Sequence, residues 1–230
     1  MALPVLNETP QYTMTIPSTG QSIRFRPYLV KEEKVLLVAA QSQDIKQMMD
    51  TIVETIMACT DNVVKKKDLT TFDVEYMFLK LRSKSVGETA EVGINCQSCE
   101  KPNKVLVELD TIECEGGSTN NIVPITDDIS VEMTWPSYTS IDYVDDETEL
   151  GFRILANCMK TVITNDGRMD LEDETDESVR TFLESMTKDQ FEAISSYIEN
   201  MPQVKTEAQF VCDECGEHNN IPITGMQAFF

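Results

Sequence analysis

Two cysteine pairs carry the densest chemistry in this chain: Cys96 and Cys99 within "GINCQSCEKPNKVLVEL" (93–109), and Cys212 and Cys215 within "QFVCDECGEHNNIPITG" (209–225). A Cys-x-x-Cys pair can exchange disulfides, supply half of a tetrahedral zinc site, or ligate an iron–sulfur cluster. It can also be two small core residues. The redox chemistry needs the first cysteine at a helix N-terminus in a thioredoxin-like setting. Here each pair follows one short strand pattern ("AEVGIN", "EAQFV") and precedes another ("KVLVEL", "NNIPIT"), so each reads as the turn of a hairpin. Gly216, directly after Cys215, suits a tight turn that aims backbone N–H groups at sulfur, as in a zinc-ribbon knuckle.

One knuckle supplies two thiolates and a closed structural zinc needs four. The two hairpins superpose at a constant offset of 116, which sets Cys96 on Cys212, Cys99 on Cys215, Asn103 on Asn219, Val105 on Ile221 and Val107 on Ile223. The spacing therefore predicts one centre built from Cys96, Cys99, Cys212 and Cys215, with zinc as the cofactor and an iron–sulfur cluster as the alternative. Cys59, Cys114 and Cys158 have no second cysteine at ligand spacing and read as core residues. His218, the chain's one histidine, reads as an exposed turn residue, because the repeat supplies four ligands without it.

The elements that must position these cysteines repeat as well. A helix is predicted over "TTFDVEYMFLKLR" (70–82) and another over "DQFEAISSYIENM" (189–201), each shortly before a cysteine pair. Upstream, "IVETIMACTDNVV" (52–64) and "RILANCMKTVIT" (153–164) both read as apolar helices carrying one cysteine. "SIRFRPYLV" (22–30) and "DISVEMTWPSY" (128–138) read as alternating strands that run into a proline. The expectation is an α+β chain of two similar strand–helix–cysteine-hairpin halves, arising by internal duplication and clamped by a zinc-ribbon-like site. Its parts are an N-terminal arm (1–20), a first repeat (21–113), a Gly/Ser/Asn-rich linker (114–126) and a second repeat (127–230).

Charge narrows the partners. The net charge of −21 splits into −4 over residues 1–115 and −17 over residues 116–230, a distribution that repels phosphates and argues against nucleic acid. The second half holds an acidic insertion, "NDGRMDLEDETDESVR" (165–180). Read as a calcium loop from Asp166, it puts Leu171 at the sixth position where an EF-hand needs Gly, though Glu177 fits the twelfth; a solvated loop with a helix cap suits it better. No stretch reaches the length of a membrane span, and the start has no signal-peptide pattern, so a cytosolic product is expected. Nucleophile elbow, phosphate loop and dinucleotide fingerprint are all missing, and acidic pairs such as Asp145-Asp146 read as surface, so no enzyme activity is expected. The apolar content of the ends suits interfaces: Leu3, Val5, Leu6, Tyr12, Met14 and Ile16 in an arm that adds a strand to a neighbour or to its own domain, and Phe229 and Phe230 as a core plug or an anchor in a partner.

The run "IPSTGQSIRFRPYLVKEEKVLLVAAQSQD" (16–44), followed by "FDVEYMFLKLRSKSVGE" (72–88) and the "CQSC" hairpin, resembles the baseplate hub, or hub assembly, proteins of T-even-type contractile-tailed bacteriophages. The likeness covers most of the chain. It implies a structural and assembly protein without turnover, made in the host cytoplasm and built into the virion's tail baseplate. Its partners would be other baseplate and hub proteins, with a homo-oligomer also allowed. Phe25, Arg26, Pro27, Tyr28, Lys31, Glu32 and Glu33 match the family phrase "FRPYLVKEEK", either as a partner contact or as an Arg–carboxylate pair inside the domain. Two alternatives from other classes stand beside it: an acidic host-directed binding module, and a thiol redox protein.

Overall fold

In the computed structural model, the alternating patterns of "YTMT" and "SIRF" form an antiparallel hairpin, β1 (Tyr12–Thr15) with β2 (Ser22–Phe25), that turns Met14, Ile23 and Phe25 inward. The structure describes residues 9–42, 44–117, 120–140 and 147–226. Leu3, Val5, Leu6, Asp145, Asp146, Phe229 and Phe230 lie outside the described residues. Tyr12–Thr15, within the expected arm, pairs with its own chain.

Three helices follow: α1 (Val30–Gln41), α2 (Ile45–Cys59) and α3 (Thr71–Ser85). Asp44 starts α2 by accepting the Gln47 N–H at 3.0 Å, which satisfies one of the free donors of a helix N-terminus. Thr70 and Asp73 form a reciprocal capping box on α3. Asp73 is fully buried, and its other oxygen accepts the Ser18 N–H at 2.9 Å, tying the turn after β1 to the start of α3. Apolar spacing drives both helices inward, through Ile52, Val53 and Ile56 of α2 and Phe72, Met77, Phe78, Leu79 and Leu81 of α3. By contrast, α1 buries only Ala39. Next come β3 (Thr89–Asn95) and β4 (Pro102–Glu108), an antiparallel hairpin with Ala90, Val92, Val105 and Val107 on its buried face, and then the short β5 (Glu113–Glu115).

The following stretch contains β6 (Ile122–Pro124), β7 (Ile129–Met133), α4 (Glu147–Cys158), β8 (Met159–Thr164), β9 (Gly167–Asp170), α5 (Asp176–Glu184) and α6 (Lys188–Glu199). The four strands make one antiparallel sheet in the order β6-β7-β8-β9. Its core joins Val131, Met133, Leu155, Cys158, Val162, Leu183 and Ile194, with Trp135 stacked on Tyr197 at 4.3 Å between ring centroids. Gly117, at φ +87°, donates to the Asn200 carbonyl, and a Cβ there would come within 2.8 Å of the Pro202 ring.

This stretch corrects two sequence expectations. The helix expected over 153–164 ends at Cys158, and Met159–Thr164 is a strand instead. Ile154, Leu155, Cys158, Met159 and Val162 fit helical spacing, but the β-branched Thr161, Val162, Ile163 and Thr164 pair with both β7 and β9, and sheet pairing wins. The acidic insertion is more ordered than a loop. It forms the β8–β9 turn, then β9, a single 3-10 turn (Leu171–Asp173) and the start of α5. The expected cap is Thr175, whose hydroxyl accepts the Ser178 N–H at 3.2 Å. Asp166 stands in the turn and Glu177 in the first turn of α5, which is not an EF-hand loop.

The chain closes with β10 (Gln203–Val211) and β11 (His218–Thr224), paired antiparallel, with β5 on the other edge of β10. Mixed helices and antiparallel strands make the fold α+β. Two compact units result: Met1–Cys114 together with Val204–Phe230, and Glu115–Gln203. Both cysteine hairpins lie in the first of these.

Candidate metal centre

Each cysteine pair occupies the turn of its hairpin because the ladder register stops just short of it. Asn95 opposes Pro102 in the first hairpin and Val211 opposes His218 in the second. The Cys96 N–H then donates to the Lys101 carbonyl at 2.9 Å, and the Cys212 N–H to the Glu217 carbonyl at 2.9 Å. The turn closes through Glu100 N–H to the Cys96 carbonyl in one case and Gly216 N–H to the Cys212 carbonyl in the other, at 3.0 and 2.9 Å. The closing residue is left-handed in both, at φ 58° for Glu100 and φ 72° for Gly216. Glycine adopts that conformation freely, whereas the glutamate is strained. Every one of these positions obeys the offset of 116.

The four sulfurs converge. Cys96 Sγ lies 3.7 Å from Cys215 Sγ, Cys99 Sγ lies 3.6 Å from Cys212 Sγ, and all four are within 4.8 Å of one another. The two short separations exceed the disulfide length of about 2.05 Å and lie close to the roughly 3.8 Å sulfur–sulfur edge that tetrahedral zinc produces at about 2.3 Å per bond. Cys96 and Cys212 are buried, Cys99 is half-buried and Cys215 exposed.

The surroundings suit anionic sulfur. The Cys99 N–H, with Ser98 N–H and Asn219 adding to it, lowers the Cys96 thiol to about 6. The Cys215 N–H, with Glu214 N–H and Asn103 behind it, lowers Cys212 in the same way. For Cys215, the Glu217 N–H lowers the value, but Cys99, burial, Cys212 and Cys96 together outweigh it and push the thiol up to about 12. Cys99 is raised by the same balance: the Lys101 N–H opposes the shift, while burial and the neighbouring Cys212 and Cys96 produce it. Among the four thiols in contact, the two inner sulfurs thus ionise more readily than the outer two, and a divalent cation among them would favour deprotonation of all four.

Two residues that sequence reasoning aligned but gave no role turn out to cross between the hairpins. Asn103 on β4 accepts the Asp213 N–H at 3.1 Å and donates to Cys212 Sγ at 3.6 Å. Asn219 on β11 accepts the Gln97 N–H at 2.9 Å and donates to Cys96 Sγ at 3.5 Å. Each carboxamide also donates to a carbonyl of its own turn, Lys101 or Glu217, at 2.8 and 3.0 Å. Both are buried polar side chains satisfied within the site. Their signal in the sequence was a polar residue at an inward-facing strand position, repeated at the same offset.

The remaining cysteines lie elsewhere. Cys59 and Cys158 are buried, and burial raises their thiols to about 11 and about 12, as expected of core thiols rather than ligands or nucleophiles; Cys114, expected in the core, is only half-buried, with its thiol raised to about 11. His218 is exposed, opposite Val211, and the convergent group of ligand atoms does not include it. Neither cysteine pair stands at a helix N-terminus. The Arg26 of the family phrase pairs inside its own domain: its guanidinium reaches Glu32 at 3.0 Å and the Ala58 carbonyl at 3.2 Å, with both charged side chains mostly covered.

The chain is α+β, and its two hairpins bring four cysteines face to face in a closed arrangement suited to a structural metal. It belongs to the T4 bacteriophage base plate protein family, whose model matches residues 9–230. It is thus a structural protein of the phage tail baseplate, and the family implies other baseplate proteins as its partners. No curated protein and no solved structure matches the chain. Among the described residues, no helix is long and apolar enough to cross a membrane.

Proposed function

We propose that this chain acts at the baseplate hub, assembling it through protein–protein contacts, and that Cys96, Cys99, Cys212 and Cys215 hold one structural zinc. The observation that carries the metal reading is the convergence of four sulfurs within 4.8 Å, with the Cys96–Cys215 and Cys99–Cys212 separations close to the edge length a tetrahedral zinc requires. Four protein ligands leave no open coordination position, so the ion would serve folding and not catalysis. The clamp would join hairpins whose cysteines stand 113 residues apart in sequence at Cys99 and Cys212. The matched turns and crossed asparagines support an origin by internal duplication, with repeats at 21–113 and 127–230 related across the site.

The hub role is supported by the family membership together with the specific likeness of "FRPYLVKEEK" and "LRSKSVGE" to hub assembly proteins. Its test is a phage carrying a deletion of this protein. Heads and host lysis should be normal, while baseplate intermediates should stop before a complete hub forms. Tails assembled at normal yield would refute it, and a block at the baseplate periphery would move the role away from the hub.

A further inference from the structure

Helix α1 inverts the usual partition of apolar residues. Val30, Val35, Leu37 and Val38 are 79, 54, 59 and 57% exposed, while only Ala39 is buried. Val30, Leu37 and Val38 fall at i, i+7 and i+8, which places them on one stripe, with the exposed Lys34 beside it and the exposed Lys31, which also lies 3.4 Å from Glu32. A stripe of aliphatic and basic side chains is what an acidic apolar groove receives.

The second unit contains such a groove, of about 600 Å³, between α4 and α5. Phe152, Ala156, Met159 and Leu171 contribute apolar surface, and Glu172, Glu174, Asp176 and Glu177 line it with carboxylates. Arg153 and Arg180 also line it, and both engage Glu149, at 3.3 and 3.0 Å. Among the described residues Glu172, Glu174, Asp176 and Glu177 have no ion pair, so the groove's carboxylates outnumber its two arginines and it presents negative charge to an incoming helix.

We infer that α1 of one copy docks in the α4–α5 groove of a second copy, giving a head-to-tail association of this chain. Charge distribution favours this pairing over a like-with-like contact. The unit containing α1 has 14 Lys+Arg against 20 Asp+Glu, or −6, and the unit containing the groove has 5 against 20, or −15. At physiological ionic strength the Debye length is about 8 Å, so distant repulsion is screened while Lys–carboxylate pairs at contact persist. A heterologous contact of this kind continues from copy to copy and closes into a ring or grows open-ended. The inference rests on the assembly reading for its setting in the baseplate but not on the metal.

The test is sedimentation velocity of the full-length chain over a concentration series at physiological salt. Mass should rise past two chains, and K31E/K34E and E172K/E174K should each weaken association at least about tenfold, since every substituted position is exposed. The quadruple charge-swap variant in one chain should restore it. L37S/V38S, which leaves the charges in place, should weaken association as well. A wild-type chain that stays monomeric throughout would overturn the proposal, as would association unchanged in the variants or not restored by the swap. Because the measurement uses purified protein, its failure would leave the assembly reading to the deletion phage.

Discussion

The side-chain oxygen of Asn219 accepts the backbone N–H of Gln97 at 2.9 Å, which fastens the second hairpin to the turn of the first beside the sulfur of Cys96. Asn103 returns the same contact to Asp213 and Cys212. These outer hydrogen bonds orient the thiolates, and losing such a partner typically lowers metal affinity about 10- to 100-fold. Asn219→Ala and Asn103→Ala should therefore weaken zinc retention against a chelator by similar factors. Asn219→Asp separates the two roles, because it keeps an acceptor for Gln97 but loses the donor to sulfur. It should fall between wild type and alanine in cross-hairpin order, measured by amide exchange at Gln97, while losing as much metal affinity as alanine.

The turns predict an asymmetry in stability. Glu100 bears the strain of a left-handed conformation that Gly216 adopts freely at the matching position. Glu100→Gly should stabilise the protein by about 1 kcal/mol, net of the entropy a new glycine adds to the unfolded chain, and Gly216→Ala should destabilise it by about the same amount. Open space surrounds the site of a Cβ at Gly216, so the cost there is conformational and not steric. Thermal denaturation of the two variants checks both signs.

The Arg26–Glu32 pair gives the fold an acid limit. Burial raises the Glu32 carboxyl, but hydrogen bonds from Arg26 and from the Leu29 N–H at 2.7 Å outweigh it and hold the group below its usual range. A carboxylate depressed in the folded state contributes stability that is complete above its unfolded value and is lost as pH falls through the folded one. Glu32→Gln should cost about 1–3 kcal/mol near neutrality, and the difference from wild type should shrink as the pH drops below about 4. A difference independent of pH across that window would remove the ion pair from the account.

The site was readable because its signal was local and repeated. Cysteine spacing, flanking strand patterns and the offset of 116 are all visible in the residues, and the two hairpins fold as they suggest. Two things escaped. The strand Met159–Thr164 carries apolar residues at helical spacing, and only its pairing with β7 and β9 decides against a helix; that partnership is non-local and leaves no mark in a short window. The roles of Asn103 and Asn219 depend on contacts between residues 109 and 123 positions apart, which an alignment of the two hairpins hints at but cannot assign. Helix α1 was hidden differently: "VKEEKVLLVAA" has no stripe that fits burial, and its apolar residues face outward in the isolated chain.

The most direct measurement is metal content per chain, by elemental analysis with an absorption spectrum, for wild type and for Cys96→Ser, Cys212→Ser and Cys59→Ser. Sharing of one centre by four thiolates predicts one colourless zinc per wild-type chain, lost to the same extent in the first two variants and retained in the third. Two metals per chain, unequal loss between Cys96→Ser and Cys212→Ser, a visible iron–sulfur absorption, or no metal in protein purified without chelator would each contradict it.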